Sequence, residues 1–254
     1  MLPLKNLGYS LNKREFQDAI RLRYGWNIPD MPHYCGCGKL NSVNHSLDCK
    51  LGGYAHIRHN KIRDTEARIM QEVAFDVKVE PGLQKVSKNV KLQPGSKTED
   101  NARLDVSARG IFSSHELTFF DVRISNPNAP SNRSLTIADV YKKNEKEKMK
   151  AYGDRIIQIE KGSFVPLVYT TTGGMGPQCE KLHKRIAELI ADKRNERYSD
   201  VINHLRTRLR FSLLKSVLVA IRGARGKRTK PGTEECIANI SFNLIPYVQT
   251  YEGY

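Results

Sequence analysis

Four residues near the start of the chain have the types and spacing of a metal site: Cys35, Cys37, His45 and Cys49, a C-x-C-x7-H-x3-C set. Zinc prefers four sulfur and nitrogen ligands at the corners of a tetrahedron. The surrounding stretch, Pro32 to Gly53, is rich in Cys, Gly, Asn and His and shows no sustained apolar periodicity. It is too short and polar to fold by burial alone, so the ion would supply folding energy. With all four positions filled by protein, the site is read as structural. The alternative is scattered thiols and a surface histidine. Cys179 and Cys236 lie far off in sequence and are read as ordinary buried thiols.

A second set consists of carboxylates in apolar surroundings. Asp105 stands in RLDV and Asp121 in FFDVR. A buried, unpaired carboxylate costs several kcal/mol, roughly, unless something compensates it. A hard divalent cation would do so. Two adjacent strands can bring both acids to one edge of a sheet, and the Val122 carbonyl can add a third oxygen. Such a cation polarises a phosphate and lowers the pKa of an attacking water. The chemistry also wants a positive group beside the reacting atoms. Arg123 is always protonated and cannot act as a base. Lys148 is the better candidate, with Tyr152 one turn on at i+4 and on the same helix face. Glu66, on an earlier helix, is a candidate for a further metal contact or for supporting one. The competing reading is a salt-bridge network in which Asp105 and Asp121 neutralise Arg103, Arg123 and Lys148.

These residues need elements to position them. Leu11 to Tyr24 reads as a helix ended by Gly25 and Pro29, and about Arg58 to Ala74 as a second, from Ile62, Ala67, Ile69, Met70 and Val73. The period then changes to that of strands: Asp76 to Pro81, Ala102 to Ala108, and Leu117 to Ile124, the last apolar enough to lie centrally in a sheet. Between the first two, Lys85 to Asp100 has loop composition. Thr136 to Glu160 follows as a lysine-dense helix, Phe164 to Thr170 as a short strand, and GGMG at Gly173 to Gly176 as a turn. Two helices, near Gln178 to Lys193 and Tyr198 to Ile221, complete the ordered part; Gly223 to Pro231 reads as a flexible basic tail.

Lys and Arg number 42 against 27 Asp and Glu, a formal charge of +15 with a pI near 9.6. The charge is clustered: Arg206 to Lys230 contains no acidic residue. A polyanionic partner is the economical explanation, with solubility alone as the bland one. The odd cysteine count and the crowding of three cysteines into Cys35 to Cys49 argue against a disulfide framework and for a reducing compartment. No segment reads as a signal peptide, and no apolar run approaches the roughly 18 residues that span a bilayer. The expectation is a soluble, intracellular protein with no membrane partner.

Taken in order, the C-x-C-H-C set, the tripeptide Arg58-His59-Asn60, Asp105 in RLDV, Asp121 in FDVR and Lys148 to Tyr152 in KMKAY resemble the restriction-like endonuclease domain at the C-terminus of site-specific non-LTR retrotransposon polyproteins. The resemblance covers about residues 33 to 170. It implies an α/β fold with the PD-(D/E)xK nuclease core, helix-strand-strand-strand-helix-strand, an N-terminal CCHC zinc knuckle and C-terminal helices. It further implies Mg2+-dependent nicking of target DNA, with Asp105 and Asp121 as metal ligands and Lys148 as the catalytic lysine. Arg58, His59 and Asn60 would engage DNA, with Arg123, Lys142, Lys143 and Lys150 as further contacts. Three departures are visible. Leu104 stands where the motif's name has proline, Arg123 where it has lysine, and the first cysteine pair is one residue tighter. The divisions expected are a helical lead-in over 1–31, the knuckle over 32–57, the nuclease core over 58–197 and a basic helix and tail over 198–254. There is no Y-x-D-D polymerase motif, so the chain reads as a fragment of an element or its stand-alone descendant, with DNA and element RNA as partners in the nucleus. Two alternatives remain open: a nucleic-acid-binding module that has lost catalysis, and a zinc-stabilised interaction domain.

Overall fold

A computed structural model describes residues 9–87 and 89–223; Cys236 and all but the first residue of the expected basic tail lie outside them. The fold is mixed α/β, with one open four-stranded sheet and six α-helices among the described residues. Helix α1 (Lys13–Tyr24) starts two residues later than its apolar stripe suggests, because Asn12 caps it. The Asn12 side chain accepts from Glu15 N, and Glu15 returns a bond to Asn12 N. Helix α2 (Val43–Asp48) is one that periodicity does not reveal, since six residues are too few to show a stripe. Helix α3 (Tyr54–Gln71) begins four residues earlier than expected, behind Gly53 in the left-handed region at φ 72°.

The sheet has the order β1-β2-β3-β4. Strands β1 (Phe75–Val79), β2 (Val106–Arg109) and β3 (Leu117–Ser125) are antiparallel; β4 (Ser163–Thr170) joins β3 in parallel. Strand β1 is an edge and most of it is exposed, so its alternating valines do not seal a core. The central strand is β3, whose residues Thr118 to Val122 are all buried, as its composition foretold. Pro166 in β4 is tolerated because that strand pairs on one side only. Asp105 does not lie inside β2 but just ahead of it. The pairing nonetheless runs on: Asp105 N donates to Phe120 O at 3.1 Å and Glu80 N donates to Asp105 O at 2.9 Å.

The crossover from β3 to β4 is helical over most of Thr136 to Glu160. It begins as α4 (Ile137–Lys148), capped by Thr136, and then widens to π-helical geometry at Met149–Gly153 and again at Ile156–Glu160. Two helices follow, α5 (Pro177–Arg194) and α6 (Tyr198–Arg222). One core lies between the sheet and α3, α5 and α6, where Ile62, Met70, Phe120, Val122, Leu182, Ile186, Leu205 and Leu209 are buried together. A smaller one, with Leu83, Leu104, Phe119, Ile156 and Phe164, includes the alternate side chains of β3 and the π-helical stretch. The division at residue 198 is therefore not one of packing: Val201, Leu205, Leu209 and Leu213 of α6 belong to the main core. The basic residues that mark this helix in the sequence hide that stripe.

The long loop between β1 and β2 is fastened by Arg155. Its side chain is fully buried and donates to Lys97 O at 2.9 Å, Glu99 O at 3.1 Å and Gln84 O at 2.8 Å. Replacing it with methionine keeps much of the volume but takes the donor from three loop carbonyls and leaves its own site without a hydrogen bond. Arg155→Met should lower stability by about 3 kcal/mol in urea denaturation and make the segment 84–99 the first site of proteolytic cleavage. An unchanged midpoint would show that the loop is held elsewhere.

Candidate metal centres at the knuckle and the sheet

The knuckle is built from a tight turn and a short helix. Cys35 N donates to Lys39 O at 2.9 Å and Gly38 N to Cys35 O at 2.8 Å, with Gly38 at φ 85° supplying a conformation that side chains resist. Tyr34 and Leu40 bridge the base of this turn. Ser42 caps α2 by accepting from His45 N at 3.1 Å, which sets His45 in the first turn and Cys49 at the helix end. The ligand atoms of Cys35, Cys37, His45 and Cys49 all lie within 4.8 Å of one another. Cys35 Sγ to Cys49 Sγ is 3.7 Å, and Cys37 Sγ to His45 Nε2 is 3.3 Å. A tetrahedral zinc with bonds of about 2.0 to 2.3 Å holds its ligands about 3.3 to 3.8 Å apart. The four residues can therefore hold a metal such as zinc. A backbone hydrogen bond at Lys39 lowers the pKa of the Cys37 thiol, while burial raises that of Cys49.

Arg58 ties this unit to the rest. It is buried, its Nη2 donates to Leu47 O at 3.1 Å, and burial pushes its pKa down against the pull of Asp48. The expectation that Arg58 reaches nucleic acid is corrected by this position: the guanidinium faces the end of α2 and has almost no access to solvent. Asp48 in turn accepts from Asn126 Nδ2 at 2.9 Å, just past β3.

The second centre lies where β2 and β3 part. The register ends with Val106 paired to Phe120, and Asp105 N also donates to Phe120 O, so Asp105 and Asp121 are the residues next to the last pair of the ladder. Beyond that point the β2 chain leaves the ladder and the Asp105 carboxylate takes its place, accepting from Val122 N at 2.6 Å. His59 of α3 enters here. Its Nε2 lies 3.1 Å from Asp105 Oδ2 and 3.1 Å from the Val122 carbonyl oxygen. The bond to Asp105 raises the His59 pKa, outweighing burial. On the neighbouring position Lys148 Nζ is ion-paired with Asp121 Oδ2. Tyr152 follows with its ring centroid 5.9 Å from Lys148 Nζ, so the expected Lys148–Tyr152 pairing on one helix is present. Burial raises the Tyr152 pKa, and the charges of Asp121 and Asp105 add to that.

Asp121 is 6% exposed, and burial raises its pKa, with Asp105 adding to the shift and Lys148 opposing it. The donors converging here, two carboxylates and the Val122 carbonyl, are all oxygen, which suits magnesium. Yet among the described residues Asp105, Asp121 and His59 do not form a closed cluster like that of the knuckle. Each carboxylate already has a protein partner, the His59 imidazole on one and the Lys148 ammonium on the other. A divalent ion would have to displace at least one of them.

Other expected residues fall elsewhere. Glu66 is fully buried, and its hydrogen bonds go to Tyr169 and His183 rather than to either aspartate, so a contact at this centre is not among them. Its distance along α3, seven residues past His59, gave no clue to that depth. Asn60 is exposed, with Oδ1 3.4 Å from His59 Nδ1. Arg123 is exposed and pairs with Glu147 at 3.4 Å. Lys142, Lys143 and Lys150 are exposed and, with Lys146, Leu135 and the acids Asp139 and Glu147, line one shallow groove on α4 and its continuation. His59 itself was placed by sequence only within a tripeptide. Nothing in spacing could show that it would bridge Asp105 and Val122, 46 and 63 residues away.

The raised pKa of Asp121 has a consequence for stability. Such a carboxylate contributes stability below its ordinary pKa and loses it as pH rises through the raised value, so near neutrality its ionised form is a cost. Asp121→Asn should therefore stabilise the metal-free protein at pH 7 by about 1 kcal/mol, or about 2–4 °C in midpoint, with the difference shrinking toward acid pH. A destabilised variant at pH 7 would show that Lys148 more than compensates the buried charge. No family model matches this chain and no curated protein matches it, which leaves the geometry above as the ground for a functional reading.

Proposed function

We propose that the chain is a metal-dependent endonuclease that nicks DNA, built on a restriction-like core. The observation that carries the reading is the placing of Asp105 and Asp121 beside the last pair of the β2–β3 ladder, Val106 and Phe120, with Lys148 against Asp121. The order of elements from α3 through β4 agrees with that core. Asp105, Asp121 and the Val122 carbonyl would hold Mg2+, which when bound polarises a phosphate oxygen and acidifies a water. Lys148 would place its ammonium against the charge that develops on the phosphorus oxygens, and Tyr152 would fix the lysine's direction from the next turn. His59 would hold the Asp105 carboxylate toward the Val122 end of the opening. Lys142, Lys143, Lys146 and Lys150, exposed on the helix that carries Lys148, would meet the phosphate backbone. DNA would bind with its phosphates along that groove; element RNA is the second polyanion the same charge would accept.

One observation favours a second reading, a nucleic-acid-binding module without catalysis: both carboxylates are already engaged by protein side chains, His59 and Lys148. A plasmid-nicking assay separates the two. With Mg2+ or Mn2+, wild type should convert supercoiled to open-circular DNA. Asp105→Asn, Asp121→Asn and Lys148→Ala should each lose activity by about a hundredfold or more, several kcal/mol of transition-state stabilisation. Lys142→Ala/Lys143→Ala/Lys150→Ala should weaken binding and flatten its salt dependence. Salt-sensitive binding with no cleavage in either metal selects the second reading. Binding to neither DNA nor RNA at low salt rejects both and leaves an interaction domain held by its knuckle.

A further inference from the structure

The main core contains a set of polar groups that the proposed nuclease does not use. Glu66 of α3, Tyr169 of β4, and Cys179 and His183 of α5 are all fully buried in it, at 0% exposure. Cys179 and His183 are four residues apart on one helix face, the spacing that His45 and Cys49 have in the knuckle. Cys179 Sγ lies 3.8 Å from His183 Nε2, within the range of edges about a tetrahedral zinc. His183 Nε2 lies 2.8 Å from Glu66 Oε1 and 3.3 Å from Tyr169 Oη, and the Tyr169 hydroxyl donates to Glu66 Oε1. The ligand atoms of Glu66, Cys179 and His183 are within 4.8 Å of one another, the same mutual reach found in the knuckle.

Without an ion the cluster is poorly satisfied. Glu66 Oε2 and His183 Nδ1 are buried with no hydrogen-bond partner. Wherever the proton between Glu66 and His183 sits, Glu66 Oε2 and His183 Nδ1 stay unpaired in an apolar interior. Each such group is costly to leave unpaired, and more so when charged. Zinc removes the need for that pairing. It exchanges for two protons, one from the Cys179 thiol and one from the Glu66–His183 pair. The core then holds Zn2+, a carboxylate, a thiolate and a neutral imidazole, with no net charge in either state.

We propose that this cluster is a second metal site, binding zinc or a similarly soft divalent cation through Glu66, Cys179 and His183, with the Tyr169 hydroxyl holding the Glu66 carboxylate by a hydrogen bond. One carboxylate, one thiolate and one imidazole suit a borderline-soft ion, and the hard-oxygen preference of magnesium excludes it here. With every ligand buried, the site is structural. It joins α3, which carries His59 two turns earlier, to β4 and α5, so it braces the helix from which His59 reaches the sheet.

The proposal is independent of nuclease activity and is tested by counting metal. Protein desalted over chelating resin should carry two zinc atoms per chain by elemental analysis. Cys35→Ser/Cys37→Ser should carry one, and Cys179→Ala one. Asp105→Asn/Asp121→Asn should keep two. Cobalt substituted into the Cys35→Ser/Cys37→Ser variant should show tetrahedral absorption with a charge-transfer band about one third as intense as that of Cys179→Ala, one thiolate against three. If Cys179→Ala does not fold, the wild-type count and the cobalt spectrum of the knuckle variant still decide. A single zinc in wild type, lost with the knuckle cysteines, overturns the proposal and leaves Glu66 and His183 as an ion pair. Loss of the second zinc in Asp105→Asn/Asp121→Asn also overturns it, by placing that ion at the sheet.

Discussion

The constraint on which this structure turns is the carboxylate of Asp121 in the middle of the most buried strand. A residue there has apolar neighbours along the strand and a paired strand on each side. Nothing in the sheet itself can solvate it. Compensation has to come from outside the strand, and it comes from Lys148 at the end of α4. The crossover helix is thereby fixed against β3, and the loop before β2 is fixed against that helix in turn. Lys97 N donates to Ala151 O at 2.8 Å, and Gly95, at φ 93°, lies so close to Lys150 that a Cβ would come within 2.5 Å of Cε. A costly charge in a core thus organises three elements around one opening. Sites arranged for chemistry commonly hold charge at such expense.

The second carboxylate is held by a different device. Asp105 stands at the point where the β2 ladder ends, and its side chain replaces a backbone acceptor for Val122 N. That substitution lets the two strands part without stranding an amide. His59 then approaches from α3 while Lys148 approaches from α4, so the two acids are held by side chains from two different helices. The result is a closed, neutralised arrangement rather than a waiting cage of free oxygens.

Much of this was legible in the residues. The apolar run around Asp121 gave β3 its central place, and the i+4 spacing of Lys148 and Tyr152 put both on one helix face. The C-x-C-x7-H-x3-C spacing located the knuckle, because ligands impose a spacing of their own. What failed to show had a common cause: depth is a tertiary property. Arg58 and Glu66 are charged, and charged side chains are rarely buried, so the sequence suggested solvent or metal where the fold put them in the interior. The basic residues of α6 concealed Leu205, Leu209 and Leu213 for the same reason. Asp105 was misplaced by one step because a strand pattern cannot say where pairing stops. The π-helical widening after Lys148 has no signature in residue type at all.

The packing of α6 on α3 bears on how the chain is made. Thr65 Oγ1 and Ser212 Oγ meet at 3.2 Å across 147 residues of sequence. On a ribosome, α3 and the first three strands therefore emerge long before the helix that covers them. Until α6 is clear of the exit tunnel, the apolar side chains that will face it have no cover, and premature association with other nascent chains is the hazard. Termination anywhere between β4 and α6 would leave a product with Asp105, Asp121 and Lys148 all in place and its core open to water.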